Sequence, residues 1–329
     1  MSDNIRVIQF GLGPIGCTAA RLVAERAGLQ LVGGIDIDPA KIGQDVGEVI
    51  GLGRSLGFNV VDRLAQTGIQ ADVVLHTTSS YFDLFKGQVL EILDAEMDIV
   101  STSEELSFPY LDHPDEAAEV DAAAKRAGKT ILGTGINPGF LMDSLPLFLT
   151  SICLEVTHIE VTRIINASKR RGPFQAKIGS GMTVDAFNKK MASGRMGHVG
   201  LRESMAMVFD TLGRKLARYE SSVEPVVAEA PVKTDFFDMQ PGQVKGLKQI
   251  ARGYSKEGEF MVLVFVAALE AGDEGDTIKI AGKPNLTVKL QGTNGDLATA
   301  AIAVNAIHRV REAQPGLITM RDLPMVTVF

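Results

Sequence analysis

Four residues near the amino terminus have the types and spacing of a dinucleotide-binding turn. Gly11, Gly13 and Gly16 follow a short apolar run, and Asp36 ends a second apolar run 20 residues after Gly16. Gly11 permits a tight turn, Gly13 lets a pyrophosphate approach the backbone, and Gly16 lets a helix pack closely on a sheet. Asp36 can accept hydrogen bonds from a ribose 2′-hydroxyl. The strand–turn–helix–strand pattern of residues 5–36 favours a dinucleotide site over a glycine-rich turn in an unrelated α/β protein. The predicted cofactor residues here are Gly11, Gly13, Pro14, Ile15, Gly16 and Asp36.

The charges around Asp36 bear on which dinucleotide is bound. The Asp36 carboxylate would repel a 2′-phosphate, and Asp38 adds to that repulsion. Lys41 is the nearby cation that could offset it. We therefore expect NAD to be the preferred cofactor, with NADP also accepted.

Polar residues follow the next buried run, residues 71–76, where a doubly wound sheet binds ligands at its carboxyl edge. Thr77, Thr78 and Ser79 are expected beside the adenosine half of the cofactor. Alternatively, Ser79 and Ser80 cap the helix that is predicted from Phe82 onward, and both interpretations can hold together.

Two carboxylates follow the strand predicted at residues 97–100. Glu104 or Glu105 would there point toward the cleft and act on a substrate as a charge partner or base. Both glutamates also fit a helix capping box, one with Ser101 and the other with Thr102. Only one can be the cap, and spacing alone does not decide which.

The remaining candidates follow the last strand of the first half or lie further along the chain. Asn137 is placed in the cofactor set, and Phe140 forms either a wall beside the nicotinamide or a core ring. His198 either caps a helix or binds substrate, and the hydroxyl of Thr299 either faces the site or bonds back to its own helix. The predicted substrate residues are Phe140, Arg163, Asn166, Phe174, Gln175, His198 and Thr299. Lys169 to Arg171 form either a solvated turn or a carboxylate site.

The elements that position these residues change character near residue 140. Up to about residue 136 the pattern repeats strand and helix, which implies a parallel Rossmann sheet. Later segments alternate as in a mostly antiparallel open sheet. Residues 58–61 are predicted as a strand, 166–180 as a loop, and 181–192 and 198–215 as helices.

A helix of small residues follows Gly295 and is apolar nearly all round, which predicts burial in the first domain. We therefore expect a Rossmann domain of residues 1–140, completed by residues 296–329, and a substrate-binding and dimerisation domain of residues 141–295. Because one face of the second sheet must be covered, we expect a homodimer through it.

Composition excludes several other classes of protein. The chain has 329 residues, a formal net charge of −7 and no long basic cluster, so nucleic acid is not an expected partner. Its two cysteines and five scattered histidines show no metal-ligand spacing. No apolar run approaches the ~20 residues of a membrane span. A strand follows the amino terminus at once, so we expect a cytoplasmic protein with no membrane contact.

At this point the motifs resemble a known family. They are SEEL at 103–106, NPGF at 137–140, PFQAKIG at 173–179, GHVGLRES at 197–204 and GDLATAAIAVNAI at 295–307, followed by PGLITMRDLP. They resemble 2,4-diaminopentanoate dehydrogenase and the related native NAD(P)-dependent amine dehydrogenases, whose fold is similar to that of dihydrodipicolinate reductase. The paired histidines, lysine and PSGT-type segment of that reductase are absent.

The resemblance implies oxidative deamination of an amine or diamino acid, and in reverse the reductive amination of a ketone or aldehyde with ammonia. The glutamate that matches Glu104 holds the amine in that family, which decides between the two carboxylates. Five further residues match the pocket region: Phe140, Asn166, Phe174, His198 and Thr299. An imine reductase and a non-catalytic NAD-sensing protein remain competing functions.

Overall fold

The computed structural model describes residues 4–192 and 196–329, and the chain forms two compact units. The first unit runs to Phe140 and includes Asn294–Phe329, and the second is Leu141–Thr293. The strands are β1 (Ile5–Phe10), β2 (Leu29–Ile35), β3 (Val73–His76), β4 (Asp98–Ser101), β5 (Thr130–Gly133), β6 (Glu155–Asn166), β7 (Arg218–Val227), β8 (Val232–Lys233), β9 (Asp238–Met239), β10 (Val244–Ser255), β11 (Gly258–Ala268), β12 (Gly275–Lys283), β13 (Leu286–Leu290) and β14 (Gly316–Ile318).

The helices connect these strands within each unit. They are α1 (Pro14–Glu25), α2 (Val46–Val49), α3 (Phe82–Asp94), α4 (Pro114–Ala127), α5 (Ser144–Thr150), α6 (Gly172–Lys177), α7 (Val184–Ala192), α8 (Leu201–Thr211) and α9 (Gly295–Glu312). Short 3₁₀ helices cover Leu64–Gln66, Glu104–Leu106 and Met320–Asp322.

The first unit is built on a parallel sheet with the strand order β14-β5-β4-β3-β1-β2. Its central strands are buried on both faces, as continuous apolar runs predict. One face packs on α3 and α4 through residues such as Phe85 and Val120. The other face packs on α1 and α9. In α9 the small side chains of Ala300 and Ala303 are buried, so the predicted burial of this helix is confirmed.

The second unit contains a mixed sheet with the order β13-β12-β6-β11-β10-β7. Its strand pairs are antiparallel except β6 with β11, which run parallel. One face packs on α7 and α8 through residues such as Met205 and Leu263. The predicted fold class, a Rossmann parallel sheet plus a second, mostly antiparallel open sheet, is confirmed.

Several predicted elements are wrong in detail. Residues 58–61 form only isolated bridges, from Asn59 to Asp45 and from Val61 to Ile35, because no regular strand pairing continues from them. The segment 166–180 is not all loop, since α6 occupies its centre. The sequence predicts helices at 181–192 and 198–215, and among the described residues α7 and α8 are both shorter than that. Glycines with positive φ at 181, 197, 200 and 213 flank the two helices.

Candidate active site

The glycine-rich turn packs backbone against backbone. Gly11 adopts φ 93°, in the left-handed region, and a Cβ there would lie 2.5 Å from the carbonyl oxygen of Thr77. A Cβ on Gly16 would overlap the carbonyl oxygen of Gly11. Both glycines are therefore required by the fold itself, because any side chain would push the turn away from β3.

Gly13 differs from its two neighbours in the motif. Its backbone is extended (φ −68°, ψ −177°), and a Cβ built there meets nothing within 4 Å. Gly13 is also the N-cap of α1, without a side-chain cap, so the helix geometry leaves the N–H groups of Ile15 and Gly16 without helical acceptors. Pro14 lacks an N–H and suits this position. Open space before a helix amino terminus fits a pyrophosphate, whose oxygens those N–H groups can bind.

Asp36 lies just beyond β2, as predicted, and its carboxylate is held in place. One oxygen accepts from the Leu12 N–H (2.7 Å) and from Lys41 Nζ (3.1 Å), and the other accepts from the Asp38 N–H (2.8 Å). Burial raises the pKa of Asp36, but these hydrogen bonds and the charge of Lys41 outweigh burial and lower it. Asp36 is therefore an ionised acceptor at the place where the motif requires one.

The three residues after β3 are bonded within the first unit. The Thr77 hydroxyl donates to the carbonyl of Gly11 (2.8 Å) and accepts from Gln9 Nε2 (2.9 Å), so it supports the turn from below. Thr78 is exposed and its hydroxyl donates to Gln88 Oε1 (2.7 Å). Ser79 Oγ accepts from the N–H of Tyr81 (3.2 Å).

The 3₁₀ helix Glu104–Leu106 fixes the backbone of Glu104 at the end of β4. A Cβ on Gly133 of β5 would overlap the backbone of Leu106, so these segments are in direct contact. The carbonyl of Glu104 accepts from the N–H (3.1 Å) and the hydroxyl (2.7 Å) of Ser107. The side chain of Glu104 is half-buried. Next to it, Ser103 Oγ is buried and has no hydrogen-bond partner among the described residues.

The two predicted capping boxes around Glu104 and Glu105 are wrong. Ser103 is the N-cap of the 3₁₀ helix and makes no side-chain cap. Glu105 Oε2 instead accepts from the N–H of Phe82 (2.6 Å), the first residue of α3, and lies 3.3 Å from His113 Nε2. Glu105 thus caps α3, and the predicted cap by Ser79 or Ser80 is absent from that helix.

The residues after β5 form a tight turn. Asn137 is buried and Phe140 is half-buried. A Cβ on Gly139, at φ 120°, would overlap the backbone of Gly135. The Thr299 hydroxyl accepts from the N–H of Ile136 (3.3 Å), and this bond joins α9 to the turn. The alternative that the Thr299 hydroxyl bonds back to its own helix is therefore not observed.

In the second unit, Arg163 and Gln175 are engaged inside the protein. Arg163 is 2% exposed, and its Nη1 lies 3.0 Å from Asp276 Oδ1. Burial lowers the pKa of Arg163 although Asp276 opposes that effect. Gln175 Nε2 donates to three carbonyls of residues 167–170, and its Oε1 accepts from Thr234. Gln175 therefore holds the loop after β6 rather than facing outward.

His198 lies before α8 and does not cap it, because the N-cap is Gly200. The His198 ring stacks on Phe265, with centroids 4.7 Å apart and planes at 14°. Gln249 Oε1 accepts from the His198 N–H (2.6 Å), and its Nε2 donates to the His198 carbonyl (3.3 Å). Arg163, Phe265 and Gln249 are neighbours in register across β6, β11 and β10.

The two other predicted substrate residues lie around the loop after β6. Asn166 is half-buried, and its Oδ1 accepts from the N–H of Ser168 (3.1 Å). Phe174 is also half-buried, and the Arg170 guanidinium lies 4.7 Å from its ring centroid. Sequence reasoning missed Asp276 and Gln249, which lack any local motif. It also missed His76, which could have been noticed as a titratable residue at the end of a buried apolar run.

Residues 4–192 and 196–329 contain neither a candidate metal site nor a candidate membrane-spanning helix. No group of three or more His, Cys, Asp or Glu side chains there is arranged to hold a metal ion. None of the helices described in those ranges has the length and apolarity needed to cross a membrane.

In the first unit the predicted cofactor residues follow strands of the parallel sheet at its carboxyl edge, the edge at which Rossmann folds bind dinucleotides. A turn shaped for a pyrophosphate and an ionised carboxylate at the end of the second strand define a Rossmann-type NAD(P)-dependent oxidoreductase. The chain belongs to the 2,4-diaminopentanoate dehydrogenase family, since the model of that family's C-terminal domain matches residues 140–329. The amino-terminal model of dihydrodipicolinate reductase matches residues 5–90.

Individual relatives agree with this family. The chain is 32% identical to 2,4-diaminopentanoate dehydrogenase of Acetoanaerobium sticklandii, over 98% of this chain and 94% of that protein. It is 23% identical to an amine dehydrogenase of Streptomyces virginiae, over 98% and 96%. The solved structure of an amine dehydrogenase from Mycobacterium smegmatis matches with a TM-score of 0.88 and 25% identity, over 100% and 98%. The predicted resemblance is confirmed, and the protein is an NAD(P)-dependent amine dehydrogenase.

Proposed function

We propose that the enzyme oxidatively deaminates an amine or a diamino acid similar to 2,4-diaminopentanoate, and in reverse aminates a ketone or aldehyde with ammonia. The observation that carries the proposal is the position of Glu104. The 3₁₀ helix that begins at Glu104 contacts β5 through Leu106, at the same sheet edge that bears the dinucleotide turn, in a chain that belongs to the 2,4-diaminopentanoate dehydrogenase family. The side chain of Glu104 is half-buried.

In this proposal the main catalytic contribution of the protein is the negative charge of Glu104. Bound nicotinamide would supply or accept the hydride. The Glu104 carboxylate binds the substrate ammonium and orients the carbon that bears it. The carboxylate first passes one proton of the ammonium on to water; ionised again, it stabilises the iminium cation that forms as the carbon loses its hydride. Water then converts the iminium to the carbonyl product and ammonium.

The candidate substrate residues of the second unit are mostly aromatic or already paired within that unit. The His198 ring is stacked on Phe265, and the half-buried Phe174 ring lies under the Arg170 guanidinium. Arg163 is neutralised by Asp276 at 3.0 Å, so a substrate carboxylate gains little there without displacing that partner. These contacts favour substrates with an apolar portion, and Lys169 to Arg171 stay a candidate carboxylate site.

A panel of matched amines and diamino acids tests the function. We expect NADH formation with at least one amine, and consumption of NADH with the corresponding ketone only when ammonium is added. The match of residues 5–90 to dihydrodipicolinate reductase favours an imine reductase as the second candidate. Reduction of a cyclic imine without ammonium would support that candidate, and no turnover with any substrate would support a non-catalytic NAD-binding protein.

We propose NAD as the preferred cofactor and expect Asp36→Ser to relax that preference. The substitution removes a carboxylate that repels a 2′-phosphate and frees Lys41, now 3.1 Å from Asp36, to pair with the phosphate. The ratio of kcat/KM for NADP to that for NAD should rise about 10- to 100-fold, as expected for ~1.4–2.8 kcal/mol of charge interaction. Asp38→Ser is the control, because Asp38 contacts Lys41 only at 3.5 Å, and its ratio should change less than threefold. A wild-type preference for NADP would contradict the proposal.

We also propose that a second copy of the chain covers the open face of the second sheet. Alternation along the strands places apolar side chains on that face, away from α7 and α8: Ile164, Ile250, Val262, Val264 and Val266. Paired charges flank them, with Lys279 on Glu160 (3.0 Å) and Arg252 on Glu259 (2.7 Å). An apolar centre with a paired polar rim is typical of a homodimer interface. Light scattering should give twice the mass of the chain, and Val264→Glu should give a folded monomer.

A further inference from the structure

His76 is a buried histidine at the carboxyl end of β3 with hydrogen bonds at both ring nitrogens. Nε2 lies 2.8 Å from Gln88 Oε1 and 3.0 Å from Thr78 Oγ1, and Nδ1 lies 2.9 Å from Ser101 Oγ. The rings of Phe10 and Phe85 meet the imidazole edge-on, with centroids 5.6 and 6.0 Å away. Burial lowers the pKa of His76 to about 4, so the ring is neutral near pH 7.

The direction of these bonds follows from the chemistry of the partners. An amide oxygen only accepts, so Nε2 carries the ring proton and donates it to Gln88. Nδ1 is then an acceptor, and the Ser101 hydroxyl donates to it. The Ser101 oxygen in turn accepts from the N–H of Ser103 (3.1 Å), the residue directly before Glu104. One chain of hydrogen bonds thus runs from α3 to the 3₁₀ helix that presents Glu104.

Backbone bonds tie the same segments together. The Thr102 N–H donates to the carbonyl of His76 (2.9 Å), and the Glu105 N–H donates to the carbonyl of Ser80 (3.2 Å). The Thr134 N–H donates to the carbonyl of Ser101 (2.8 Å). The exits of β3, β4 and β5 are therefore joined by backbone bonds beside the segment that contains Glu104, and the side-chain bonds through His76 end on the Ser103 N–H.

We infer that His76 and Ser101 are positioning residues for Glu104, acting through the Ser103 peptide; this rests on the proposed role of Glu104. Packing alone does not require them, because an apolar side chain between Phe10 and Phe85 would have no polar atoms to satisfy. A fully bonded polar chain instead specifies one geometry. Catalytic groups must be held within about 0.5 Å of their productive position. Loss of the hydrogen bond between Ser103 and Ser101 is expected to shift Glu104 by a distance of that order.

The test uses Ser101→Ala in the full-length enzyme, with Ser101→Thr as the variant that keeps the hydroxyl. The matched control is Thr130→Val, which removes a hydroxyl that is also buried in this sheet but bonds the carbonyl of Gln314 (3.1 Å). We expect Ser101→Ala to lower kcat with the amine about tenfold or more while the dissociation constant of NADH stays within twofold. Ser101→Thr should keep at least a third of kcat, and Thr130→Val should match the wild type.

A double variant separates action through Glu104 from a general loss of structure. In Glu104→Gln/Ser101→Ala, kcat should lie within about twofold of Glu104→Gln alone, since a lost carboxylate no longer needs positioning. Additive losses would overturn the inference, as would a Ser101→Ala variant that keeps more than half of kcat. Should Ser101→Ala fail to fold, Gln88→Leu removes the acceptor of Nε2 at the half-exposed end and is judged by the same readouts.

Hydrogen exchange provides a readout that does not need turnover. The amide of residue 103 should exchange at least about tenfold faster in Ser101→Ala than in the wild type, and Thr130→Val should leave its exchange unchanged. Unchanged exchange in Ser101→Ala overturns the inference. If the wild type oxidises no amine, the proposed function fails, while the exchange rates still decide whether the chain through His76 holds this turn.

Discussion

Glu104→Gln is expected to lower kcat for amine oxidation by about 10²–10³-fold, the usual cost of removing one preorganised electrostatic partner. The amide keeps the size of the side chain but removes the negative charge that stabilises the iminium and the site that accepts the proton. The dissociation constant of NADH should stay within about twofold, because the dinucleotide turn and Asp36 lie on other strands. Steady-state kinetics and NADH fluorescence titration measure the two quantities.

Glu105→Gln is the matched control, since it makes the same chemical change one residue away. Glu105 accepts from the Phe82 N–H at 2.6 Å and caps α3; the glutamine oxygen can still accept, so only the charge at the helix amino terminus is lost, about 0.3–1 kcal/mol of stability. Its kcat should remain within about threefold of the wild type. A Glu104→Gln enzyme that keeps more than about a third of kcat, or a Glu105→Gln enzyme as impaired as Glu104→Gln, would contradict the proposed role.

The comparison of these two glutamates shows where sequence reasoning is sufficient and where it fails. Both match a capping box by local spacing, and neither forms one. The partner of Glu105 is the amino terminus of α3, which is 23 residues away in sequence. The two are close in space because α3 follows β3, Glu105 follows β4, and β3 and β4 are neighbours in the sheet. Spacing rules describe neighbours along the chain, whereas this cap depends on how two adjacent parallel strands place their exits.

The same limit applies to charged residues in the second unit. Arg163 was a reasonable candidate for a substrate carboxylate, but its partner Asp276 is 113 residues away and pairs through β6 and β12. The dinucleotide turn was predictable because its strand, turn and helix are contiguous and each glycine has a local steric reason. The fold class was predictable because hydrophobic periodicity changes once, near residue 140.

Gly13→Ala is expected to raise the dissociation constant of NADH at least about tenfold while the protein keeps its stability. The backbone of Gly13 is extended (φ −68°, ψ −177°), a conformation open to alanine, and a Cβ there meets nothing within 4 Å. The midpoint of thermal unfolding should therefore change by less than about 2 °C. A methyl group would nevertheless occupy the space before α1 in which a pyrophosphate must approach the N–H groups.

Gly16→Ala is the opposite case and makes the comparison decisive. A Cβ on Gly16 would overlap the carbonyl oxygen of Gly11, so this variant should lose about 1–3 kcal/mol of stability through overpacking, with or without cofactor present. If Gly13→Ala loses stability but still binds NADH, the fold requires a glycine at this position and the cofactor does not. Loss of binding at unchanged stability would mean that the glycine is there for the ligand, because the protein itself makes no contact that requires it.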